Sequence, residues 1–323
     1  MTTLAEAAPV HVVFGVDAGY YRGMGVAIAS VVNHNPGRQF VFHVFAFTAS
    51  EDSRRRMQAL ERQIGMPVRL HLLDPESLRA FRQFPCFAQH SLGTFIRLLI
   101  PGRMRETAST VLYLDADLLC FGALDELLAT DVSQVIAAAA PDEALTTVST
   151  QVAALELRHG RYFNAGVMLI NVEQWMAHGV EQTALEILSS RPLRFADQDA
   201  LNIALDGRTR YIDDKWNTRY HLVDYLSRGE TRLALPQRPP IVHFTGPVKP
   251  WQDWCLHEAR QIFVDLQATT PWADVALDLP RSPRELKLFS KFLIRQRRTV
   301  EGVLWHLKYL GARFVSRVKA GWI

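Results

Sequence analysis

The segment Val111-Leu112-Tyr113-Leu114-Asp115-Ala116-Asp117-Leu118-Leu119-Cys120-Phe121-Gly122 places two carboxylates, one residue apart, between two apolar runs. The first run has the composition of a buried strand, and a charged side chain in such surroundings is costly unless it is paired or coordinated. In extended backbone a two-residue spacing puts Asp115 and Asp117 on the same side of the chain. Two hard oxygen ligands converging at a strand end suit Mg²⁺ or Mn²⁺, above all where substrate phosphates add further oxygens. An isolated Asp-x-Asp is also a common solvated turn; the hydrophobic walls on either side shift the balance toward a metal.

The rest of the chain supplies a sheet for this strand. His11 to Val16 is an apolar strand ending at Asp17, and Tyr20 to His34 has Met24, Ile28, Val31 and Val32 at helical spacing. Phe40 to Phe47 is nearly all apolar, as in a strand covered on both faces. Ser50 is placed to cap a helix over Glu51 to Ile64, Val68 to Leu73 forms a third strand, and Ser91 to Ile100 a further helix carrying Arg97. Gln134 to Ala140 continues the sheet, followed by Pro141-Asp142-Glu143. Tyr162 to Asn171 is a strand carrying Asn164 and a glycine, Gly166, that permits close backbone approach. Glu173 to Ser190 reads as one helix, and Asp197-Gln198-Asp199 opens another, where carboxylates meet exposed N–H groups. Lys215-Trp216-Asn217-Thr218 is a polar cluster around an aromatic, and Ile241 to Trp251 a last strand and turn. Strands alternating with helices make an α/β chain with a mixed, mostly parallel sheet flanked by helices, and ligands of such sheets gather at the carboxyl ends of the strands. Asp17 and the Asp115/Asp117 pair both fall there.

Composition narrows the setting. A hydrophobic fraction of 48% is ample for a core. The net charge of +3 is unevenly spread: from Arg281 onward there are eleven Lys/Arg against Glu285 and Glu301, a formal +9, which leaves the rest of the chain at −6. Cys86, Cys120 and Cys255 are odd in number and widely spaced, as free thiols in a reducing compartment would be. Met1 to Pro9 lacks the regions of a signal peptide, and no run approaches the roughly 18 apolar residues of a spanning helix, so a cytoplasmic chain is expected.

Singly, the remaining polar residues have plain structural readings. His243 is a strand-end histidine, Lys249 a turn lysine, Arg97 a helix residue extending its stem to water, Asn164 a turn amide, and Asp197 and Asp199 helix caps. In combination and order they resemble the retaining glycosyltransferases of family 8, which have the GT-A fold, a Rossmann-like nucleotide-sugar-binding architecture. The matching pieces are Asp17 with Tyr20, Thr94-Phe95-Ile96-Arg97, Tyr113-Leu114-Asp115-Ala116-Asp117, Phe163-Asn164-Ala165-Gly166 to Asn171, Asp197-Gln198-Asp199-Ala200-Leu201-Asn202, and His243-Phe244-Thr245-Gly246-Pro247-Val248-Lys249-Pro250-Trp251. The likeness runs from about His11 to Trp254.

That resemblance implies that Asp115, Asp117 and His243 hold one Mn²⁺, with Mg²⁺ as the alternative, on the two phosphates of a UDP-sugar. It assigns Lys249 and the Gly246 backbone to the diphosphate, and Asp17 and Tyr20 to the uridine. Arg97, Asn164, Asp197 and Gln198 fall to the donor sugar, with Gln198 at the face of the anomeric carbon. No carboxylate there is an evident nucleophile, so front-face substitution with retention is expected over double displacement. The bacterial members of the family include lipopolysaccharide core galactosyl- and glucosyltransferases. The implied donor is therefore UDP-galactose or UDP-glucose, and the implied acceptor a lipopolysaccharide core oligosaccharide, met by residues around Asp142 to His159 and near Trp216. One departure concerns base selectivity: many members carry an acid and an asparagine directly after the Asp17 position, where this chain has Ala18 and Gly19.

Pro271-Trp272 and Pro280 mark a linker, giving a catalytic domain over 1–270 and a basic helical region over 271–323. Arg284 to Arg298 sets Leu286, Phe289, Phe292 and Leu293 on one helical face, and Val300 to Val318 repeats the scheme with Val303, Leu307, Leu310 and Phe314. Basic amphipathic helices of this kind read as elements lying on an anionic membrane surface, here the inner face of the cytoplasmic membrane, or as helices packed on the catalytic domain with a solvated basic rim. Nucleic acid is not expected as a partner, since the core motifs offer it no platform. Two other readings stand beside the transferase: a non-catalytic nucleotide-sugar-binding protein on the same scaffold, against which the intact acid pair, His243, Gln198 and Lys249 argue, and a family 8 transferase acting on another glycan. A dinucleotide-dependent oxidoreductase fails, because Gly23-Met24-Gly25 lacks the third glycine and does not directly follow the first strand.

Overall fold

In the computed structural model, residues 8–74, 76–77, 81–82, 84, 92–142, 145–235 and 238–319 are described. Met1 to Ala7, Cys86, Ser91, Glu143 and the last four residues, named above, lie outside them. In chain order the elements are β1 (Val10–Gly15), α1 (Tyr21–His34), β2 (Phe40–Ala46), α2 (Glu51–Ile64), β3 (Val68–Leu72), α3 (Leu92–Met104), β4 (Thr110–Leu114), β5 (Leu118–Cys120), α4 (Asp125–Leu128), β6 (Ala137–Pro141), α5 (Leu145–Ala154) and β7 (Phe163–Asn171). They continue with α6 (Val172–Ala177), α7 (Val180–Ser190), α8 (Ala196–Ala204), β8 (Thr209–Tyr211), a 3-10 turn at Asp214–Asn217, β9 (Thr218–Arg219), α9 (Leu222–Arg228), β10 (Ile241–His243), α10 (Glu258–Gln267), α11 (Pro283–Arg295) and α12 (Thr299–Lys319).

Seven strands form one sheet in the order β3-β2-β1-β4-β7-β6-β8. β1 to β4 run parallel, β7 is antiparallel to both β4 and β6, and β8 is again parallel to β6. All seven residues of β2 are buried, as its unbroken apolar run requires of a strand covered on both faces. The strand order reverses direction between β1 and β4, the switch point whose crevice takes the ligands of open α/β sheets. β7 enters that same edge with Asn164 to Gly166, and the Asp115 N–H extends the ladder by donating to the Gly166 carbonyl at 2.8 Å. β5 and β10 pair antiparallel in a second, smaller sheet, with His243 opposite Leu118.

Three local outcomes differ from the sequence reading. α3 continues past Ile100 through Pro101, although proline deletes a helical donor; Leu98, Leu99, Ile100 and Met104 are all buried, and their packing outweighs the break. The helix read over Glu173 to Ser190 is two helices, because Gly179 adopts a left-handed φ of 57° between them. The strand read over Gln134 to Ala140 is Ala137–Pro141, with a bulge between Ala139 and Pro141. The Ser50 cap forms as read, its hydroxyl accepting from the Ser53 N–H.

The chain divides into two compact units, Met1–Thr218 with Pro239–His243, and Arg219–Arg238 with Phe244–Ile323. Residue 270 lies inside the second of these. In that unit α11 begins with a capping box between Ser282 and Glu285 and buries Leu286, Phe289, Phe292 and Leu293, the face its periodicity marks. Phe292 stacks on Trp254, and Phe289 meets Trp305 of α12 with ring centroids 4.9 Å apart. Gly302 lets the two helices close: a Cβ there would stand 3.1 Å from the Ser290 carbonyl oxygen. The outer face of α12 is different. Val303, Leu307, Leu310 and Phe314 are between 47% and 59% exposed.

Candidate active site

The loop after β4 brings the acid pair to the crevice, and β10 brings His243 to it. Ligand atoms of Asp115, Asp117 and His243 all lie within 4.8 Å of one another. His243 Nε2 is 3.0 Å from Asp117 Oδ1 and 3.6 Å from Asp115 Oδ2. Two carboxylates and one imidazole form a mixed donor set of hard oxygens and a borderline nitrogen, so the residues fit a divalent cation such as Mn²⁺. Gly166 makes room for this: a Cβ added there would lie 2.6 Å from His243 Nδ1.

Arg97 is buried beside the acids and is no solvent-seeking helix residue. Its Nη2 donates to Asp115 Oδ1 at 2.9 Å, its Nε lies 2.6 Å from Asp197 Oδ2, and its Nη1 donates to the Ala165 carbonyl at 2.7 Å. The Tyr113 ring lies 4.9 Å beneath its guanidinium, and the Tyr113 hydroxyl donates to Asp115 Oδ1 at 2.6 Å. Burial opposes the charge on Arg97, yet the carboxylates of Asp115 and Asp197 outweigh it and raise its pKa. Burial also pushes the Asp197 carboxyl up to about 7, against the opposing pull of Arg97, and the charge of Asp115 adds to the rise. One cation thus holds two acids that would otherwise repel each other at the mouth of the site.

Gln198 is fixed from three sides. Its Oε1 accepts from the Ala165 N–H at 3.1 Å, and its Nε2 donates to the Tyr162 hydroxyl at 3.0 Å and to Asp142 Oδ2 at 3.2 Å. Tyr162 in turn donates to Asp199 Oδ1 at 2.5 Å, and that fully buried carboxylate also accepts from Gln151 and from the Phe195 N–H. A cavity of about 130 Å³ opens beside the acid pair, lined among others by Asp17, Tyr20, Arg97, Asp115 and Asp117. Asp17 Oδ1 accepts from the Gly19 N–H at 3.0 Å, which keeps its carboxylate at the strand end.

Of the residues singled out in the sequence, Asp17, Tyr20, Arg97, Asp115, Asp117, Asn164, Asp197, Gln198 and His243 all lie in the first unit. Asn164 Oδ1 accepts from the Gly166 N–H and from Asn217 Nδ2. Gly246 and Lys249 belong to the second unit, where Gly246 has a φ of 85° and Lys249 Nζ donates to the Phe244 carbonyl at 2.8 Å. Trp216 is buried, with the Lys215 ammonium 5.1 Å from its ring centroid. Sequence reasoning missed Tyr113, Tyr162 and Asn217 as site residues. Tyr113 was open to discovery, since it stands two residues before Asp115 and so on the same side of the strand. Tyr162 gave no local signal, and Asn217 stood only as one member of the polar cluster around Trp216.

A strand-end acid pair with a histidine beside it, set in a mixed and mostly parallel α/β sheet flanked by helices, is the arrangement of a GT-A glycosyltransferase. The chain belongs to Glycosyl transferase family 8, whose sequence profile matches residues 11–255; the profile of the family's C-terminal region matches 258–312. It is 30% identical over 320 residues to the lipopolysaccharide 1,3-galactosyltransferase of Salmonella typhimurium, covering 97% of this chain and 94% of that one. It is 27% identical to the lipopolysaccharide glucosyltransferase WaaO of Escherichia coli, covering 96% and 91%. Among solved structures it resembles the galactosyltransferase LgtC in complex with donor and acceptor sugar analogues, with a TM-score of 0.67, 26% identity, and coverage of 81% of this chain and 96% of that one.

Proposed function

We propose that this glycosyltransferase moves a hexose, galactose or glucose, from its UDP donor to a lipopolysaccharide core oligosaccharide with retained anomeric configuration. The observation that carries the reading is the convergence of Asp115, Asp117 and His243 on one point beside the cavity that Asp17 and Tyr20 line. These three residues would hold Mn²⁺, which when bound supplies Lewis-acid stabilisation of the charge on the departing diphosphate. Asp17 accepts hydrogen bonds from the uridine, and Tyr20 stacks on it. Arg97 orients Asp115 while closing the sugar end of the site. Asp197 and the Gln198 amide face the donor hexose, and the three-sided hold on Gln198 fixes its orientation in advance, so that little is lost to ordering it in the transition state. Lys249 and the Gly246 N–H are assigned to the diphosphate on the pattern of the family. Asp142, at 3.2 Å from Gln198 Nε2, is the carboxylate best placed to meet an acceptor hydroxyl.

The C-terminal helix is the proposed membrane contact. Val303, Leu307, Leu310 and Phe314 present an exposed apolar row on a helix that carries Lys308 and Arg313. Each base near an anionic leaflet contributes about 1 kcal/mol. Among the described residues no helix is long and apolar enough to cross a membrane. A peripheral enzyme on the inner face of the cytoplasmic membrane fits both facts and the acceptor. Deleting 281–323 would strip buried core from the second unit, so the test is Leu307→Glu with Phe314→Glu. That pair should weaken binding to phosphatidylglycerol vesicles by tenfold or more, and equal binding would make the helix purely structural.

The transferase reading is tested by UDP release from a panel of UDP-sugars, with Mn²⁺ or with EDTA. Slow Mn²⁺-dependent hydrolysis of one hexose donor is expected. Tight donor binding with no turnover, with or without acceptor, would support a non-catalytic binding protein instead.

A further inference from the structure

A histidine ligand must offer a lone pair to its metal, and the structure contains a chain of hydrogen bonds that decides which nitrogen of His243 carries the proton. The chain starts at a group that has no choice. The Gly166 backbone N–H is a donor only, and it donates to Asn164 Oδ1 at 3.0 Å. The amide group of Asn217 that faces this oxygen at 2.8 Å must therefore be its NH₂, and the Asn164 backbone carbonyl, 3.5 Å from the same nitrogen, requires the same orientation. Asn217 is thereby turned so that its oxygen faces His243 Nδ1 at 2.9 Å. A carbonyl oxygen accepts only, so Nδ1 is the protonated nitrogen. In the neutral ring the lone pair is then on Nε2, the nitrogen 3.0 Å from Asp117 Oδ1 and 3.6 Å from Asp115 Oδ2.

We propose that Asn217 is a positioning residue that locks His243 in its Nδ1–H tautomer, and so keeps Nε2 free to ligate a divalent cation. The lock is dry: His243, Asn217 and Asn164 are 4%, 3% and 9% exposed, so water has little access to substitute for either amide. It is also anchored. Asn217 ends the 3-10 turn that Asp213 caps through the Lys215 N–H at 2.9 Å, and Lys215 is tied to Glu126 at 2.8 Å. Gly166 serves the chain twice, as its first donor and as the residue whose missing Cβ gives the imidazole its place. When the ring is neutral, its Nε2 lone pair faces a carboxylate oxygen at 3.0 Å, a contact that either a proton on Nε2 or a bound cation relieves. This second layer of support is what metal-bound histidines generally need, and its loss costs roughly ten- to a hundredfold in metal affinity. The ligand half of the inference rests on the metal reading above; the tautomer half stands on the hydrogen bonds alone.

Two measurements on the full chain test it. In the first, protein with ¹⁵N-labelled histidine is studied metal-free, at a pH where the ring is neutral, by imidazole ¹⁵N–¹H correlation, with His243 assigned by the signals lost in His243→Gln. An Nδ1–H tautomer is expected; an Nε2–H tautomer overturns the proposal whether or not any Asn217 variant folds. In the second, Mn²⁺ is titrated in the presence of UDP and followed by electron paramagnetic resonance. Asn217→Leu should bind Mn²⁺ about ten- to a hundredfold more weakly. Asn217→Asp keeps an acceptor for Nδ1–H but sets a second acceptor against Asn164 Oδ1, so its affinity should fall between those of the wild type and Asn217→Leu. Equal affinity for the wild type and Asn217→Leu overturns the positioning role. Absence of Mn²⁺ binding by the wild type overturns the metal reading instead, while the tautomer spectrum still returns its own answer.

Discussion

His243 and His43 are both buried, at 4% and 1% exposure, and each has a partner at both ring nitrogens, yet they sit in opposite electrostatic surroundings. His43 is the middle of a ladder across three parallel strands: it meets His11 Nδ1 through Nε2 and His71 Nε2 through Nδ1, both at 3.0 Å, and the rings stack at 5.3 and 5.2 Å between centroids. Its charged neighbour is Arg69, and burial together with His71, His11 and that arginine pushes its pKa down to about 3. His243 faces two carboxylates instead, and an amide fixes its outer nitrogen. Burial alone makes a histidine a neutral packing group. Acids on one side and an acceptor on the other give it the surroundings of a ligand. The two histidines share one unit, so the difference comes from the groups around each ring and not from depth.

The widest separation between them is expected on removing an acid. Asp117→Ala should lower Mn²⁺-dependent turnover on the order of 10²–10³-fold, as loss of a group that stabilises transition-state charge does. The circular dichroism spectrum should be unchanged. Full activity in that variant would mean that the carboxylates beside His243 are as incidental to catalysis as the arginine beside His43. A smaller effect is expected at Gly166→Ala, since a Cβ 2.6 Å from His243 Nδ1 must displace the ring. Mn²⁺ affinity should fall by about ten- to a hundredfold, with a folding cost of about 1–3 kcal/mol from overpacking. Wild-type affinity in a folded Gly166→Ala protein would show that the ring has freedom, and would weaken the case that its placement is special.

Much of this contrast could be read from the chain, and the remainder could not for a physical reason. The strand before Asp115, the Ser50 cap and the buried face of α11 follow from local periodicity, which is encoded within a few residues. The proximity of Asp115, Asp117 and His243 was legible only through a motif order spanning most of the chain. The partners distant in sequence were not legible. Asn217 lies 26 residues from His243 and 53 from Asn164, and Gln198 lies 36 from Tyr162. Such pairs are set by strand order and register, which spacing does not reveal. Pro101 and Gly179 show the same limit from the other side. One breaking signal was overridden by packing, and one glycine took a left-handed conformation that its neighbours did not announce.

The smallest effect concerns the ladder itself. A folded-state pKa near 3 lies below the ordinary histidine value of 6.5. Above pH 6.5 His43 is neutral in both states and adds no pH dependence. Below it, the unfolded chain takes up a proton that the folded chain refuses, so stability falls progressively as the pH drops toward 3. His11 and His71 are shifted in the same direction, first by burial and then by Arg69, and so steepen the same limb. His43→Leu removes the central titrating ring while keeping an apolar group in the sheet. The melting temperature of the variant should therefore fall less steeply than that of the wild type between pH 6.5 and 4, whatever its value at pH 8. Mn²⁺ affinity at neutral pH should be unchanged, because nothing in the ladder touches the acid pair. Parallel acid limbs for the two proteins would show that protons enter the ladder without cost, and the distinction between a packing histidine and a ligand histidine would then rest on the carboxylates alone.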